Sequence, residues 1–282
     1  MNFKIIYSVA LGLITAFVST VAIADINMGV FPRRPIGKTV KAFKPLAEKL
    51  EKELGEPVKL IVPKNFKAFW KGVKSNKYDL VHYNQYHYLL SHKNQGYKVI
   101  IANEEKKNKL IAGTISVRKD SGIKTIKDLK GKTILFGGGK KAMGSYIAPT
   151  YMLKKAGLVA GKDYKVRFAK NPPSAVIATF NKAADAAGAG NIILKVKGVT
   201  KKIDVSQMKI LVESPAFVHL TWAVKGDMPK AKAKKIQKIM ANLKKTDPKV
   251  VKSALVTNFH KASDSDYKKV REIVKYALGE DL

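Results

Sequence analysis

The sequence predicts an α/β protein of two halves, one inserted within the other, with a ligand cleft between them. Three observations predict it. Apolar strand-like segments alternate with amphipathic helical ones across residues 26–88; a second strand–helix alternation begins near residue 125; and two short crossings, near Gly122 and Ser214, set the middle of the chain apart from its ends. Such alternation implies a largely parallel sheet covered by helices on both faces. Two crossings leave a cleft that hinge motion closes, and clefts between domains are the usual home of small ligands.

Each element follows from local pattern. Residues 26–31 alternate like a half-buried strand, and Pro32-Arg33-Arg34-Pro35 turns the chain. Val40, Phe43, Leu46, Ala47, Leu50 and Leu54 share a helix face over 39–54, and Gly55 ends that helix. A strand over 58–62, a helix over 65–75 and a strand over 78–83 follow, the last leading into a further helix. A strand is expected over 110–118. The second half opens with a short helix (125–129) and a strand (133–136). It continues with a helix over 146–156 closed by Gly157, a strand at 164–168, a helix at 174–181 and strands at 184–189 and 209–212. The chain returns through a strand at 220–225 and two lysine-rich helices near 230–244 and 266–278. The expected division is 25–120 for the first lobe, 121–215 for the second, and 216–282 for the return to the first.

Residues 1–24 are of another kind. Lys4, an apolar run over 5–21 and Ala22-Ile23-Ala24 ahead of Asp25 have the build of a secretory signal peptide, cleaved after Ala24. The mature chain is expected in the periplasm. It has no cysteine, which removes disulfides, thiolate nucleophiles and thiolate metal sites. The full sequence carries a formal charge of +33, from 54 Lys and Arg against 21 Asp and Glu, and loss of Lys4 with the signal peptide leaves +32. The lysines are spread along the chain rather than gathered in one tail or helix face, and no nucleic-acid motif is present, so a solvated basic surface rather than nucleic acid is expected.

The stretch at 134–147, ILFGGGKKAMGSYI, carries the chemistry. A strand runs into three glycines, two lysines and the start of a helix. Glycine allows close backbone approach, and the first N–H groups of a helix have no internal partners and carry the positive end of its dipole. Gly139, Lys140, Lys141, Ala142, Met143, Gly144 and Ser145 are therefore the candidate seat for a small anion. The spacing matches neither a dinucleotide fingerprint nor a nucleotide-binding loop. Arg33, in the loop after the first strand, offers a guanidinium fork suited to an oxyanion. Tyr83, Asn84, Gln85 and Tyr86, after the third strand, face the same edge, because ligands in such sheets sit beyond the carboxyl ends of the strands.

Competing chemistries find less support. His82, His87, His92 and His219 are of a ligand type for zinc or copper, but His82 and His87 do not share a helix face, and no metal or other cofactor is expected. No nucleophile elbow or His-Glu-x-x-His is present, and Glu104-Glu105 falls in a charged stretch without an apolar setting, so no enzyme is expected.

Several segments together resemble one family. These are 43–58 (FKPLAEKLEKELGEPV), 77–80 (KYDL), 117–123 (VRKDSGI), 128–133 (DLKGKT), 151–157 (YMLKKAG) and 182–188 (KAADAAG). Across nearly the whole mature chain the sequence is similar to the extracytoplasmic solute-binding proteins of phosphonate, phosphite and phosphate ABC transporters. The resemblance implies a two-lobed type II periplasmic binding fold, monomeric and non-catalytic, that closes on a small anion and hands it to a membrane permease. In that family a Ser-Thr-Ser-Gly motif opens the second-lobe helix; here the three hydroxyl positions fall on Ala142, Met143 and Gly144. The family's aromatic contact after the third strand falls on Tyr83, an acidic contact falls near Leu220 beside His219, and a ligand histidine falls near Pro172. The same scaffold also serves sensing, so the alternative is a periplasmic subunit that reports a different small ligand to a membrane receptor kinase or cyclase.

Overall fold

The computed structural model describes residues 25–282; the expected signal peptide and its cleavage site lie outside the described residues. Strand β1 (Ile26–Val30) is followed by α1 (Ile36–Leu54), which starts three residues earlier than the spacing predicts. Pro35, at the N-cap with φ −51°, enters the helix without needing its own N–H. Phe43, Leu46, Ala47 and Leu50 bury one face of α1, and Gly55 ends it at φ 77°. Then come β2 (Val58–Ile61), α2 (Phe66–Lys74), β3 (Leu80–Tyr83) and α3 (Gln85–Gln95). Asn65 and Asn84 cap the two helices by accepting from the N–H groups of Ala68 and His87.

The chain continues through β4 (Lys98–Glu104), β5 (Leu110–Ile111) and β6 (Gly113–Arg118). The strand expected over 110–118 is thus two strands, parted at Ala112. The inserted half comprises β7 (Thr133–Gly137), a wide turn of helix (Met143–Ile147) running directly into α4 (Ala148–Lys155), β8 (Lys165–Ala169), α5 (Pro172–Phe180), β9 (Ala186–Gly190), α6 (Lys197–Thr200) and β10 (Met208–Glu213). The return comprises β11 (Phe217–Val218), β12 (Thr221–Val224), α7 (Lys230–Thr246), α8 (Pro248–Ser253), β13 (Asn258–Lys261) and α9 (Lys268–Leu278).

Two main sheets result. The first has the order β13-β4-β12-β3-β1-β2 and the second β10-β6-β9-β7-β8. In the first, β1 pairs in parallel with β2 and β3, while returning β12 runs antiparallel between β3 and β4. In the second, β7 is parallel to β8 and β9, and β6 is antiparallel to β9 and β10. Residues 113–118, expected with the first lobe, therefore pair within the second sheet. The reason is the short third sheet: β5 and β11 pair antiparallel as the chain leaves the first sheet and comes back, so the crossing lies at 110–111 and 217–218.

The last helix belongs to neither sheet alone. Tyr86 on α3 donates to Glu280 (2.8 Å) just beyond α9, while the ring of Tyr276 on α9 meets Tyr151 on α4 (5.3 Å between centroids) and the ammonium of Lys155 (4.5 Å).

Candidate ligand cleft

The glycine stretch lies at the carboxyl end of β7, as expected for a binding edge. Gly138 takes φ 99°, a conformation that favours glycine, and the Ala142 N–H closes the loop onto the Gly139 carbonyl at 2.9 Å. The helix then begins at Met143, so the N–H groups of Met143, Gly144 and Ser145 precede its first internal bonds. Its start is pressed against the sheet. A Cβ at Gly113 would lie 2.7 Å from the Gly144 carbonyl, and one at Gly188 would collide with the Phe136 ring and the Ser145 carbonyl. Ser145, buried, donates its hydroxyl hydrogen to the Gly137 carbonyl. That hydroxyl is engaged inside the loop, and the exposed residues of the loop are Gly139, Lys140 and Lys141.

The opposite lobe reaches this loop through Asn84. Its oxygen caps α3, and its amide donates to the Lys141 carbonyl at 3.0 Å. The Lys141 ammonium sits 5.5 Å from the centre of the Trp70 ring on α2, a cation–π contact across the cleft. On the far side of the cleft the ammonium of Lys106 donates to the Lys195 carbonyl (2.9 Å). The lobes are therefore in contact on both sides.

The Trp70 ring lies tilted against His87 (5.2 Å between ring centres, 35° between planes), which is buried with no partner for Nδ1. Burial, and then the neighbouring Lys141 charge, lower the His87 pKa to about 3, so the ring is neutral.

A second group of charges lies at the end of β1. Arg33 donates to Glu105 at 3.1 Å, and His219 Nε2 lies 4.0 Å from the other carboxylate oxygen. His219 Nδ1 accepts from the Leu220 N–H (2.7 Å), which puts the neutral ring's proton on Nε2. Burial lowers its pKa to about 4 in spite of Glu105. Burial also works to raise Glu105, but Arg33 and His219 outweigh it and hold the carboxyl below its ordinary range. Half-buried Arg34 has no hydrogen-bond or ion-pair partner for its guanidinium among the described residues. Burial and the adjacent Arg33 lower its pKa to about 10, leaving it charged near neutrality. Beside this pair, His82 donates through Nδ1 to the Thr221 carbonyl (2.9 Å) and stacks on Trp222 (4.4 Å), with Nε2 buried and unpartnered. Burial, reinforced by Arg33, keeps it neutral.

The other expected contacts lie elsewhere. Tyr83 is wholly buried; Ser91 gives its own hydroxyl hydrogen to the Tyr88 carbonyl, so the Tyr83 phenol donates to Ser91 at 2.7 Å. The ring packs among Phe69, Tyr88 and Tyr97, away from the cleft. Gln85, also buried, donates to the Val218 carbonyl of β11 (2.7 Å) and so braces the crossing. Tyr86 ties α3 to Glu280. Glu104, expected in a charged loop, ends β4 and accepts from Thr257 (2.8 Å) and His260 (2.7 Å). Among the described residues no group of three or more His, Cys, Asp or Glu is arranged to hold a metal ion. What sequence reasoning missed is Trp70 as the partner of Lys141 and Glu105 as the partner of Arg33; both pairings join distant segments and leave no local signal.

Two lobes on separate sheets, joined by paired crossing strands and meeting at their loop edges, define a two-lobed periplasmic binding protein of type II. The chain belongs to the family described as ABC transporter, phosphonate, periplasmic substrate-binding protein, whose profile matches residues 28–267. Among similar solved structures is a binding-protein component of a Pseudomonas aeruginosa phosphonate ABC transporter, with 15% identity and a TM-score of 0.74 over 90% of this chain and 86% of that one. PhnD1 of Prochlorococcus marinus, solved with methylphosphonate, has 21% identity and a TM-score of 0.72 over 88% and 96%. A Xanthomonas citri protein bound to ATP has 14% identity and a TM-score of 0.76 over 90% and 96%. At these identities the likeness is one of fold.

Proposed function

We propose that the chain captures a small phosphorus oxyanion, of the phosphonate, phosphite or phosphate kind, between its lobes and delivers it to a membrane permease. The observation that carries this reading is the helix start at Met143: three leading N–H groups beside Lys140 and Lys141, with neither lysine in an ion pair among the described residues. Gly139 to Gly144 would hold the anion by backbone and charge from the second lobe. Asn84 and Arg34 would complete the site from the first, with Arg33 held by Glu105 and His219 behind it. The bound methylphosphonate of the Prochlorococcus marinus relative supports the ligand class. Tyr83, Gln85 and Tyr86 frame the site.

In this reading the protein is a non-catalytic monomer, exported with cleavage after Ala24. The first lobe is built from residues 25–109 and 219–282, and the second from 113–214. A thermal-shift screen of residues 25–282 tests it, with phosphate, phosphite, methylphosphonate, aminoethylphosphonate, sulfate, arsenate and ATP. A ligand that binds only the folded state raises the melting temperature by mass action. A rise with one phosphorus oxyanion, reduced in Arg34→Gln, is expected; no rise with any phosphorus compound would overturn the ligand class.

A further inference from the structure

We propose that the outer face of α2 is a docking surface for an anionic phospholipid membrane. The helix carries Lys67, Lys71 and Lys74 at i, i+4 and i+7, all exposed, with Lys64 just ahead of it and Lys77 just after. No Asp or Glu occurs in 64–77, and none of these lysines enters an ion pair among the described residues. Alongside the lysine row runs an aromatic one. Phe66 is 47% exposed and Trp70 is half-buried, one helical turn further on. An open hollow of about 730 Å³ lies over this face, lined by Lys64, Lys67, Trp70, Lys71 and Lys74.

A row of unpaired lysines beside an exposed aromatic ring is the composition of a surface that lies in the headgroup region: the lysines are drawn to an anionic leaflet, the Phe66 ring reaches toward the acyl boundary, and Trp70 lies at the edge of the contact. The face has lysine and no arginine. Lysine is depleted and arginine enriched where proteins bind one another, so the lipid surface fits better than an acidic protein. The lysines of α7 differ: no large apolar side chain is exposed on that helix. The α2 face also borders the cleft, since Lys141 of the second lobe rests on Trp70. Adsorption through it would hold the binding protein beside the bilayer with its cleft mouth at the membrane, reducing the search for a permease to two dimensions.

The protein contains its own reporter. Of its two tryptophans, Trp222 is wholly buried, so a change of emission on vesicle binding reads Trp70. Residues 25–282 are mixed with phosphatidylcholine vesicles with or without phosphatidylglycerol, and sedimentation and emission are followed. Binding to the phosphatidylglycerol vesicles with a blue shift is expected, weakened about tenfold or more in the triple variant Lys67→Glu, Lys71→Glu, Lys74→Glu. The control triple Lys234→Glu, Lys238→Glu, Lys245→Glu on α7, with the same change of net charge, is expected to keep binding within about threefold. All six positions are exposed, and matching melting curves check that both variants fold. Equal loss in the two variants, equal binding to both vesicle types, or sedimentation without an emission change would each overturn the proposal. So would absence of vesicle binding with capture by a soluble acidic polypeptide instead.

Discussion

Asn84 has two tasks that one substitution separates. Its side-chain oxygen caps α3 at 2.8 Å, and its amide crosses the cleft to the Lys141 carbonyl at 3.0 Å. A serine keeps the cap but is too short to reach the other lobe, whereas an alanine loses both. The cap contributes about 1 kcal/mol to the fold. The crossing bond contributes about 0.5–1.5 kcal/mol net, and it does so only when the lobes are closed. Because apparent affinity scales with the fraction of molecules that are closure-competent, its loss weakens ligand binding between about twofold and about tenfold. Urea unfolding reads the first quantity, and calorimetric titration with the oxyanion selected by the thermal screen reads the second. Asn84→Ser should retain stability and lose affinity; Asn84→Ala should lose both. Unchanged affinity in Asn84→Ser would refute the assignment of the bond to closure.

Other consequences can be measured directly. Tyr83→Phe removes a buried hydroxyl that donates to Ser91, so stability should fall by about 1 kcal/mol while affinity changes less than about twofold; a large loss of affinity would return Tyr83 to the ligand. Gly188→Ala should destabilise the second lobe by about 1–3 kcal/mol, because its Cβ would press on Phe136 and the Ser145 carbonyl at the start of the seat helix; a wild-type unfolding midpoint would contradict that packing. Folded-state His87 and His219 have pKa values of about 3 and about 4, below the 6.5 of the free side chain. On acidification the unfolded chain takes up these protons first, so stability is fully present above about pH 6.5 and declines toward pH 4, by on the order of 1–2 kcal/mol per ring by pH 5. His219→Gln should flatten that slope in urea titrations at stepped pH, and an unchanged slope would exclude the ring as its source.

The loop proposed as the anion seat was legible as structure because its parts are local: a strand end, three glycines, two lysines and a helix start are contiguous in sequence. Tyr83 was misplaced for a geometric reason. Alternation tells which strand residues share a face, but β3 is covered on both sides, so neither face opens on the cleft. Strand β4 escaped notice because Val99, Ile100, Ile101 and Ala102 form a continuous buried run with no period of two to mark it. The crossing was placed several residues late on one side because Leu110 to Arg118 has unbroken strand character. Only the pairing of β5 with β11 reveals that the chain changes sheets at Ala112.

The position of α9 governs how such a molecule can move. The paired crossing strands fix one point of attachment between the lobes, and the Tyr276 contact with Tyr151 and Lys155 fixes another, well apart along the chain. Two fixed points define a line. Rotation about that line would leave both attachments intact, whereas twisting or sliding of one lobe over the other would break one of them, so the placement of α9 favours opening and closing about a single axis, like a gate hung on two pins.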